Sequence, residues 1–153
     1  MEQISVRKAR LDDLDVLFEF EKEIIRTERP FDSTLKEGDI HYYDLAYMVG
    51  AANVEVVVAE IGTELIGSGY ARIEDAKIYY KHQKYAYLGF MYVKPQYRGK
   101  GVNNKIIETL KQWSLSQNVN ELRLEVYHDN GAAIKAYEKA GFSKLLIEMR
   151  KGV

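Results

Sequence analysis

The sequence predicts one mixed α/β domain, with mostly antiparallel strands first, a parallel β-α-β unit after them, and helices on both faces of the sheet. Three observations predict this fold class. Strand-like and helix-like stretches alternate in the order βααβββαβαβ. The chain has 153 residues, too few for two ordinary domains. It has only two prolines and no Gly/Ser-rich linker, so residues 1–153 are expected to form a single domain.

The first elements follow from the spacing of apolar residues. Residues 4–8 alternate apolar and polar side chains, which predicts a short strand. Either Asp12 or Asp13 then caps a helix, whose apolar residues recur at near-helical spacing over residues 14–25. A second, short helix is predicted over residues 39–48.

The middle of the chain predicts three consecutive strands and a long helix. Residues 54–61 and 64–72 are joined by Gly62-Thr63, which is typical of a hairpin turn. An aromatic strand follows over residues 85–93, and an amphipathic helix over residues 102–117.

The last third predicts a strand over residues 122–126, a helix over 132–140 that ends at Gly141, and a final strand over 145–149. The strand over 122–126 is then the parallel neighbour of the preceding strand. Only eleven residues follow Phe142, so we expect a short or absent last strand. A homodimer, in which a second copy completes this sheet edge, is an open alternative.

Composition excludes several classes of site. The absence of cysteine excludes a thiolate nucleophile and any cysteine-ligated metal, and the three histidines lack metal-binding spacing, so we expect no metal. No apolar run is long enough for a signal or transmembrane segment. We therefore expect a cytoplasmic protein without a membrane partner.

Charge is distributed unevenly along the chain. Residues 1–76 carry 17 acids and 8 bases, whereas residues 77–105 carry seven bases and no acid. An acid-free basic segment favours the binding of an anion. The net charge of −1 argues against a dedicated nucleic-acid-binding domain, although the aromatic and basic residues 79–85 leave RNA binding as a third alternative.

The sharpest local pattern is Gln-Tyr-Arg-Gly-Lys-Gly at residues 96–101, between a predicted strand and a predicted helix. Gly99 and Gly101 leave backbone N–H groups accessible, and the start of the helix adds unpaired N–H donors. Arg98 and Lys100 add positive charge, so the segment is suited to a pyrophosphate. It is neither the dinucleotide fingerprint, because no third glycine follows, nor a P-loop.

With Val93-Lys94-Pro95 before it, this segment resembles the acetyl-coenzyme-A signature of the GCN5-related N-acetyltransferases, the GNAT family. A second stretch agrees: Asn130, Ala133, Tyr137 and Gly141-Phe142 are similar to the Asn-x-x-Ala-x-x-x-Tyr-x-x-x-Gly-Phe stretch of that family. Two such motifs in the correct order are more specific than either alone.

The resemblance implies the GNAT fold, acetyl-CoA as co-substrate and transfer of the acetyl group to a primary amine. It also implies which residues bind acetyl-CoA. The strand would present Met91, Tyr92 and Val93 to the pantetheine arm, and Asn130, Ala133 and Tyr137 would lie beside that arm. The pyrophosphate would lie on the loop and helix start formed by Gln96, Arg98, Gly99, Lys100, Gly101, Val102 and Asn103.

Three groups are expected to carry the reaction by the same resemblance. Tyr137 would protonate or hydrogen-bond the leaving thiolate, and the backbone N–H of Tyr92 would hold the oxyanion. The strand over 85–93 has no acid, although many family members carry a glutamate there. Glu125 is the best substitute as base, since its Leu-Glu-Val context is similar to that of the ribosomal-protein N-terminal acetyltransferases. Pairing of Glu125 with Arg123 or Lys135, and a water chain as base, are the alternatives.

We therefore expect an N-acetyltransferase in which the amine attacks the thioester directly. The acceptor is left open between a peptide N-terminus, a lysine and a small amine, and the acidic first half favours a cationic one. The alternative from another class is a CoA-binding regulatory domain without turnover, which the missing carboxylate in the strand supports.

Overall fold

The fold is built on one five-stranded sheet in the computed structural model, which describes residues 3–153. The strands follow the order β1-β2-β3-β4-β5, and only the pair β4–β5 is parallel. Their bounds are β1 Ile4–Lys8, β2 Val54–Ile61, β3 Glu64–Asp75, β4 Lys84–Val93 and β5 Leu122–Arg123. The predicted antiparallel sheet with a parallel β-α-β unit is confirmed.

Helices cover both faces of this sheet, as predicted. Their bounds are α1 Leu14–Glu28, α2 Leu45–Gly50, α3 Val102–Ser116 and α4 Gly131–Lys139. Successive residues of β2 point to opposite faces: Val56 and Val58 pack in the core shared with α1 and α2, while Val57 and Ala59 pack in the core shared with α3. None of the helices within residues 3–153 combines the length and the hydropathy that a membrane span requires.

An ion pair fixes the start of α1. Asp13 precedes the helix, and its carboxylate accepts hydrogen bonds from the Arg7 guanidinium (2.9 and 3.0 Å) and from the Arg10 backbone N–H (2.7 Å). The hydrogen bond from Arg7 lowers the pKa of Asp13. These bonds tie β1 to α1.

The second helix begins later than predicted. The expectation of a helix over residues 39–48 is wrong at its start, because α2 runs over Leu45–Gly50. The buried carboxylate of Glu21 accepts the backbone N–H groups of Tyr42 (2.8 Å) and Tyr43 (2.9 Å). A contact between distant parts of the chain therefore holds this segment out of the helix.

The last third contains less sheet than predicted. The strand expected over residues 122–126 is reduced to Leu122–Arg123, and the strand expected over 145–149 is wrong, because residues 143–153 form neither helix nor strand and are exposed. A strand needs a neighbour for its backbone groups. Because β5 is only two residues long, it offers almost no edge to which the final segment can pair.

Two glycines let α3 and β4 approach β3 closely. A Cβ added at Gly67 would lie 2.7 Å from the carbonyl oxygen of Tyr92, and one added at Gly69 would lie 2.7 Å from a side-chain carbon of Ile106 in α3. The small residues in the middle of β3 are thus required by packing.

Candidate active site

The two parallel strands separate after two pairs of residues. Ala86 pairs with Leu122 and Tyr87 with Arg123, where β5 ends, whereas β4 continues to Val93. The last residues of β4 therefore have no strand neighbour on the β5 side among residues 3–153. This leaves a gap with an open backbone edge.

A bulge in β4 shapes the gap. Phe90 has a φ of 56°, in the left-handed region, and the β3–β4 register shifts between Ser68 and Tyr70. The ring of Tyr70 lies over Gly89, where an added Cβ would be 2.5 Å from the tyrosine hydroxyl oxygen. Because of the bulge and the missing Cβ at Gly89, the Tyr70 side chain can cross β4 beside the gap.

Alternation in the sheet decides which N–H groups face the gap. The Lys94 N–H donates a 2.8 Å hydrogen bond to the Ile66 carbonyl of β3. Because alternate residues of an antiparallel strand bond to the same neighbour, the Tyr92 N–H also points toward β3. The N–H groups of Met91 and Val93 point the other way, into the gap.

The loop between β4 and α3 presents a row of free backbone donors. Gly99 (φ 76°) and Gly101 (φ 83°) both have left-handed backbones, which favours glycine. Within the described chain, no hydrogen bond uses the N–H groups of residues 99–104. They stand at the N-terminus of α3, whose first turn contains no acid, so the loop has the donors and the field that an anion requires.

Basic side chains surround this loop. The Arg98 Nε donates to the Val93 carbonyl (2.9 Å), the Lys100 ammonium lies over the Tyr97 ring (5.7 Å to its centroid), and the Lys105 Nζ donates to the Ile4 carbonyl (3.2 Å). Arg98 and Lys100 are exposed, so both can also meet a phosphate from solvent. Of the other predicted residues, Gln96 is exposed in the turn before the loop, whereas Val102 is buried and Asn103 is half-buried in α3.

Asn130 immediately precedes α4, and Ala133 and Tyr137 lie on this helix. The Asn130 side-chain oxygen accepts the Ala133 N–H (3.3 Å) and so caps the helix, which gives these two residues a structural role. Tyr137 packs edge-on against Phe142 (5.9 Å between ring centroids). Burial raises the pKa of Tyr137 to about 12, and the charge of Glu28 adds to this. Tyr137 is therefore protonated at neutral pH.

Glu125 follows β5 by two residues, just beyond the point where β4 and β5 separate. It is exposed, and its carboxylate accepts a 2.9 Å hydrogen bond from the Tyr87 hydroxyl. Arg123 pairs instead with Glu121 (3.4 Å) and stacks on the Tyr85 ring (4.7 Å). Among residues 3–153, no ion pair joins Glu125 to Arg123 or Lys135, and no hydrogen bond joins it to Tyr137.

A cleft of about 550 Å³ opens beside Glu125 on the face of α2. Tyrosines dominate its walls, together with three carboxylates and one arginine. They are Tyr42, Tyr43, Tyr47, Tyr70, Tyr85 and Tyr87, with Asp44, Glu74 and Glu125, and with Arg72. Aromatic faces and carboxylates are the groups that bind organic cations.

Glu28, at the end of α1, is a candidate that the sequence prediction missed. Burial raises its pKa, and the Tyr42 side chain interacts with its carboxylate. The buried Tyr42 hydroxyl has no other hydrogen-bond partner of normal geometry among residues 3–153. A signal was present in the sequence, because Glu21 and Glu28 are spaced by seven residues on the apolar stripe of α1. Acids on such a stripe indicate a buried polar role.

Comparisons with known proteins show which family the chain belongs to. A family model described as the acetyltransferase (GNAT) family matches residues 17–142. The chain is 39% identical over 59 residues to a thialysine N-epsilon-acetyltransferase of Bos taurus, a match that covers 39% of this chain. The chain thereby spans 35% of the length of that curated relative.

Solved structures share the fold over nearly the whole chain. A predicted acetyltransferase of Clostridium acetobutylicum, crystallised with acetyl-CoA, superposes with a TM-score of 0.74 at 20% identity, covering 97% of this chain and 96% of that one. A mutant of the BH1408 protein of Bacillus halodurans superposes with a TM-score of 0.85 at 15% identity, covering 97% and 99%. The expected family and fold are confirmed, and the chain belongs to the GNAT family of acetyltransferases.

Proposed function

We propose that this protein is an N-acetyltransferase that transfers the acetyl group of acetyl-CoA to a primary amine. The free N–H groups of residues 99–104 carry the proposal, because they stand on an acid-free helix start at the end of the open β4 edge. Acetyl-CoA matches both features. Its diphosphate is an anion that the loop can bind, and its pantetheine arm carries amides that can pair with the open strand edge.

The proposed binding residues follow the route of that arm. Gly99, Lys100, Gly101, Val102 and Asn103 contribute backbone N–H groups to the pyrophosphate, with Arg98 and Gln96 at the rim. Met91 and Val93 bind the pantetheine amides, and Asn130 and Ala133 flank the arm from α4. The two glycines support this placement, since their Cβ-free backbones face open space.

In the proposed reaction, the amine nitrogen attacks the thioester carbonyl carbon, and the carbon–sulfur bond breaks as the thiolate leaves. The nitrogen must lose a proton, and Glu125 accepts it directly or through water. Tyr137, which is protonated at neutral pH, hydrogen-bonds or protonates the departing thiolate. We assign the oxyanion to the backbone N–H of Met91 instead of Tyr92, because the sheet alternation favours Met91 as the donor that faces the gap.

The proposed acceptor is a cationic amine that occupies the tyrosine-rich cleft. The cleft carries three carboxylates against one arginine, so its side chains have an excess of negative charge. One relative is named for thialysine, an amine-bearing compound, which supports a small acceptor. The homodimer, the cytoplasmic location and the absence of a nucleic-acid partner stay predictions.

Release of free CoA thiol from acetyl-CoA, measured over a panel of amines, tests the proposed function. We expect thiol release that depends on an amine, and stabilisation by acetyl-CoA and CoA but not by NAD in a thermal melt. Ligand at about a hundred times its dissociation constant stabilises by about 2.7 kcal/mol, or roughly 5–10 °C here. Stabilisation without thiol release would support the regulatory CoA-binding domain. The absence of both stabilisation and thiol release would contradict the acetyltransferase and the CoA-binding domain alike.

A further inference from the structure

Arg72 is the single basic residue among those that line the cleft in the described chain. Its guanidinium carbon lies 5.5 Å from the centroid of the Tyr70 ring and 5.3 Å from that of the Tyr87 ring. Its Nε donates a 2.5 Å hydrogen bond to Glu74. Two rings and one carboxylate therefore fix the orientation of the guanidinium, while its side chain keeps 37% of its surface exposed.

Tyr87 connects this cation to an anion. Arg72 lies against the face of the Tyr87 ring, and the hydroxyl of the same tyrosine donates to Glu125 at 2.9 Å. A fixed guanidinium and a fixed carboxylate thus lie on two sides of one side chain in the same cleft. This arrangement complements a molecule that carries both a carboxylate and an ammonium group, because a guanidinium binds carboxylates in a bidentate manner.

We propose that the cleft recognises an amine acceptor that carries a carboxylate, as an amino acid does, and that Arg72 binds this carboxylate. The proposal rests on the proposed function for the statement that the amine is acetylated. The carboxylate site itself depends only on the cleft.

The strand register sets the distance between the two ends of such an acceptor. Arg72 pairs with Tyr87, three residues before the bulge at Phe90. At the rise of a β-strand, that is about 10 Å. In the proposed reaction the amine attacks a thioester whose oxygen lies on the Met91 N–H, beyond the bulge, and Glu125 takes the proton through water. The amine therefore lies at the far end of the acceptor from its carboxylate. An amino acid with an amine at the end of its side chain, such as lysine, has this length, whereas an α-amine next to the carboxylate does not.

The remaining charges fit the same class of acceptor. Glu74 already pairs with Arg72, which leaves Asp44 and Glu125 as unbalanced carboxylates in the cleft. An α-ammonium group and a side-chain ammonium group supply two positive charges to match them. A simple diamine also supplies two positive charges but offers no carboxylate to the part of the Arg72 guanidinium that Glu74, bound at Nε, leaves exposed.

Binding of matched amines to the protein–CoA complex, measured by isothermal titration calorimetry, tests the carboxylate site without turnover. Lysine, lysine methyl ester and cadaverine all carry a primary amine at the end of the same alkyl chain, and only lysine has a free carboxylate. We expect lysine to bind roughly tenfold more tightly than the other two, as charge-assisted hydrogen bonds to a guanidinium predict. In Arg72→Gln, lysine should lose this advantage while cadaverine changes less than about twofold. Lys84→Gln, which removes an exposed lysine paired with Asp75, is the control and should keep the preference.

The same compounds as acetyl acceptors separate the two proposals. If lysine binds as expected and no amine is acetylated, the carboxylate site stands and the acetyltransferase proposal fails. If amines are acetylated but cadaverine equals lysine in both binding and kcat/KM, the carboxylate site is overturned and the acetyltransferase proposal stands. If Arg72→Gln weakens the binding of all three amines equally, the carboxylate site is also overturned. Arg72 would then have a purely structural role, paired with Glu74.

Discussion

The Tyr87 hydroxyl donates a 2.9 Å hydrogen bond to the Glu125 carboxylate, at the point where β4 and β5 separate. Tyr87 pairs with Arg123, and Glu125 follows two residues later, where the chain has left the sheet. The bond therefore anchors a carboxylate that no strand holds, between the open β4 edge and the tyrosine-rich cleft. It also keeps the Tyr87 phenol protonated, because burial and the Glu125 carboxylate both raise the pKa of Tyr87.

This bond predicts two changes in the kinetics. In Tyr87→Phe the Glu125 carboxylate loses the hydrogen bond that holds it beside the gap, so we expect kcat/KM to fall roughly tenfold. In Glu125→Gln the acidic limb of kcat/KM should disappear and the rate should fall, by roughly 100-fold for a lost general base. Steady-state kinetics between pH 5 and 9, with Tyr79→Phe as an exposed control, measures both. A limb that persists in Glu125→Gln and vanishes in Glu28→Gln would assign the base to Glu28 instead.

Tyr137 predicts a separation of turnover from binding. Its phenol is protonated at neutral pH, so Tyr137→Phe removes a donor to the leaving thiolate without removing packing against Phe142. We expect kcat to fall about 100-fold while the dissociation constant of CoA changes less than about twofold. Thiol release and calorimetry of CoA binding measure the two quantities. Unchanged turnover would remove Tyr137 from the mechanism.

The proposed pyrophosphate site in the loop over residues 96–101 predicts a selective effect of one methyl group. Gly101 has a φ of 83°, so Gly101→Ala costs about 1 kcal/mol in backbone strain and places a Cβ beside the free N–H groups. We expect CoA to bind roughly tenfold more weakly. Gly62→Ala is the matched control, since Gly62 also has a left-handed backbone (φ 58°) in open space but lies in the β2–β3 turn. Equal effects of both variants on CoA binding would contradict a phosphate site at Gly101.

The contact between His41 and Glu21 predicts a pH-dependent stability. The His41 Nδ1 lies 2.9 Å from the buried Glu21 carboxylate, and this hydrogen bond raises the pKa of His41. A raised pKa in the folded state means that protonated His41 stabilises the fold below its ordinary pKa near 6.5, and that this contribution is lost as the pH rises through the folded-state pKa. Urea unfolding at pH 5.5 and 8.5 should show that decrease in wild type and a smaller one in His41→Gln. The same pH dependence in both would contradict the assignment.

The exposed C-terminal segment predicts self-association. Leu145, Leu146, Ile147 and Met149 are each at least 65% exposed. Burial of such side chains against a second copy is favourable by about 25 cal/mol per Å². We expect light scattering to give twice the mass of the chain, and Leu146→Lys to give the single chain. Leu115→Lys, which changes an exposed leucine of α3, is the control and should leave the dimer intact. A monomeric wild type would contradict the prediction.

Local patterns were sufficient for most elements of the sheet. Apolar alternation predicted β1, and a run of β-branched residues predicted β2. The Gly62-Thr63 turn predicted the hairpin to β3, and helical spacing predicted α1 and α3. The loop over residues 96–101 was also visible, because its glycines and bases are contiguous in the chain. Such features depend on neighbours in sequence, which is why periodicity detects them.

Elements that depend on distant partners were predicted less well. The predicted start of the second helix was wrong because Glu21, twenty-one residues before Tyr42, binds the N–H groups of that segment. The last strand was wrong because its apolar pattern has no paired edge to join. The two carboxylates at Glu21 and Glu28 share the apolar stripe of α1, but their roles depend on tyrosines from other parts of the chain.

Residues that lie close together along the chain are enough to predict the fold class and the glycine-rich loop over residues 96–101. The construction of the tyrosine-rich cleft depends instead on contacts between distant residues. Tyr43, Tyr70, Tyr87 and Glu125 come from a loop, two antiparallel strands and the segment after β5, and they meet only because the register of β3 and β4 and the separation of β4 from β5 bring them together. Pairing between strands joins residues that are far apart in sequence, and no local pattern specifies it.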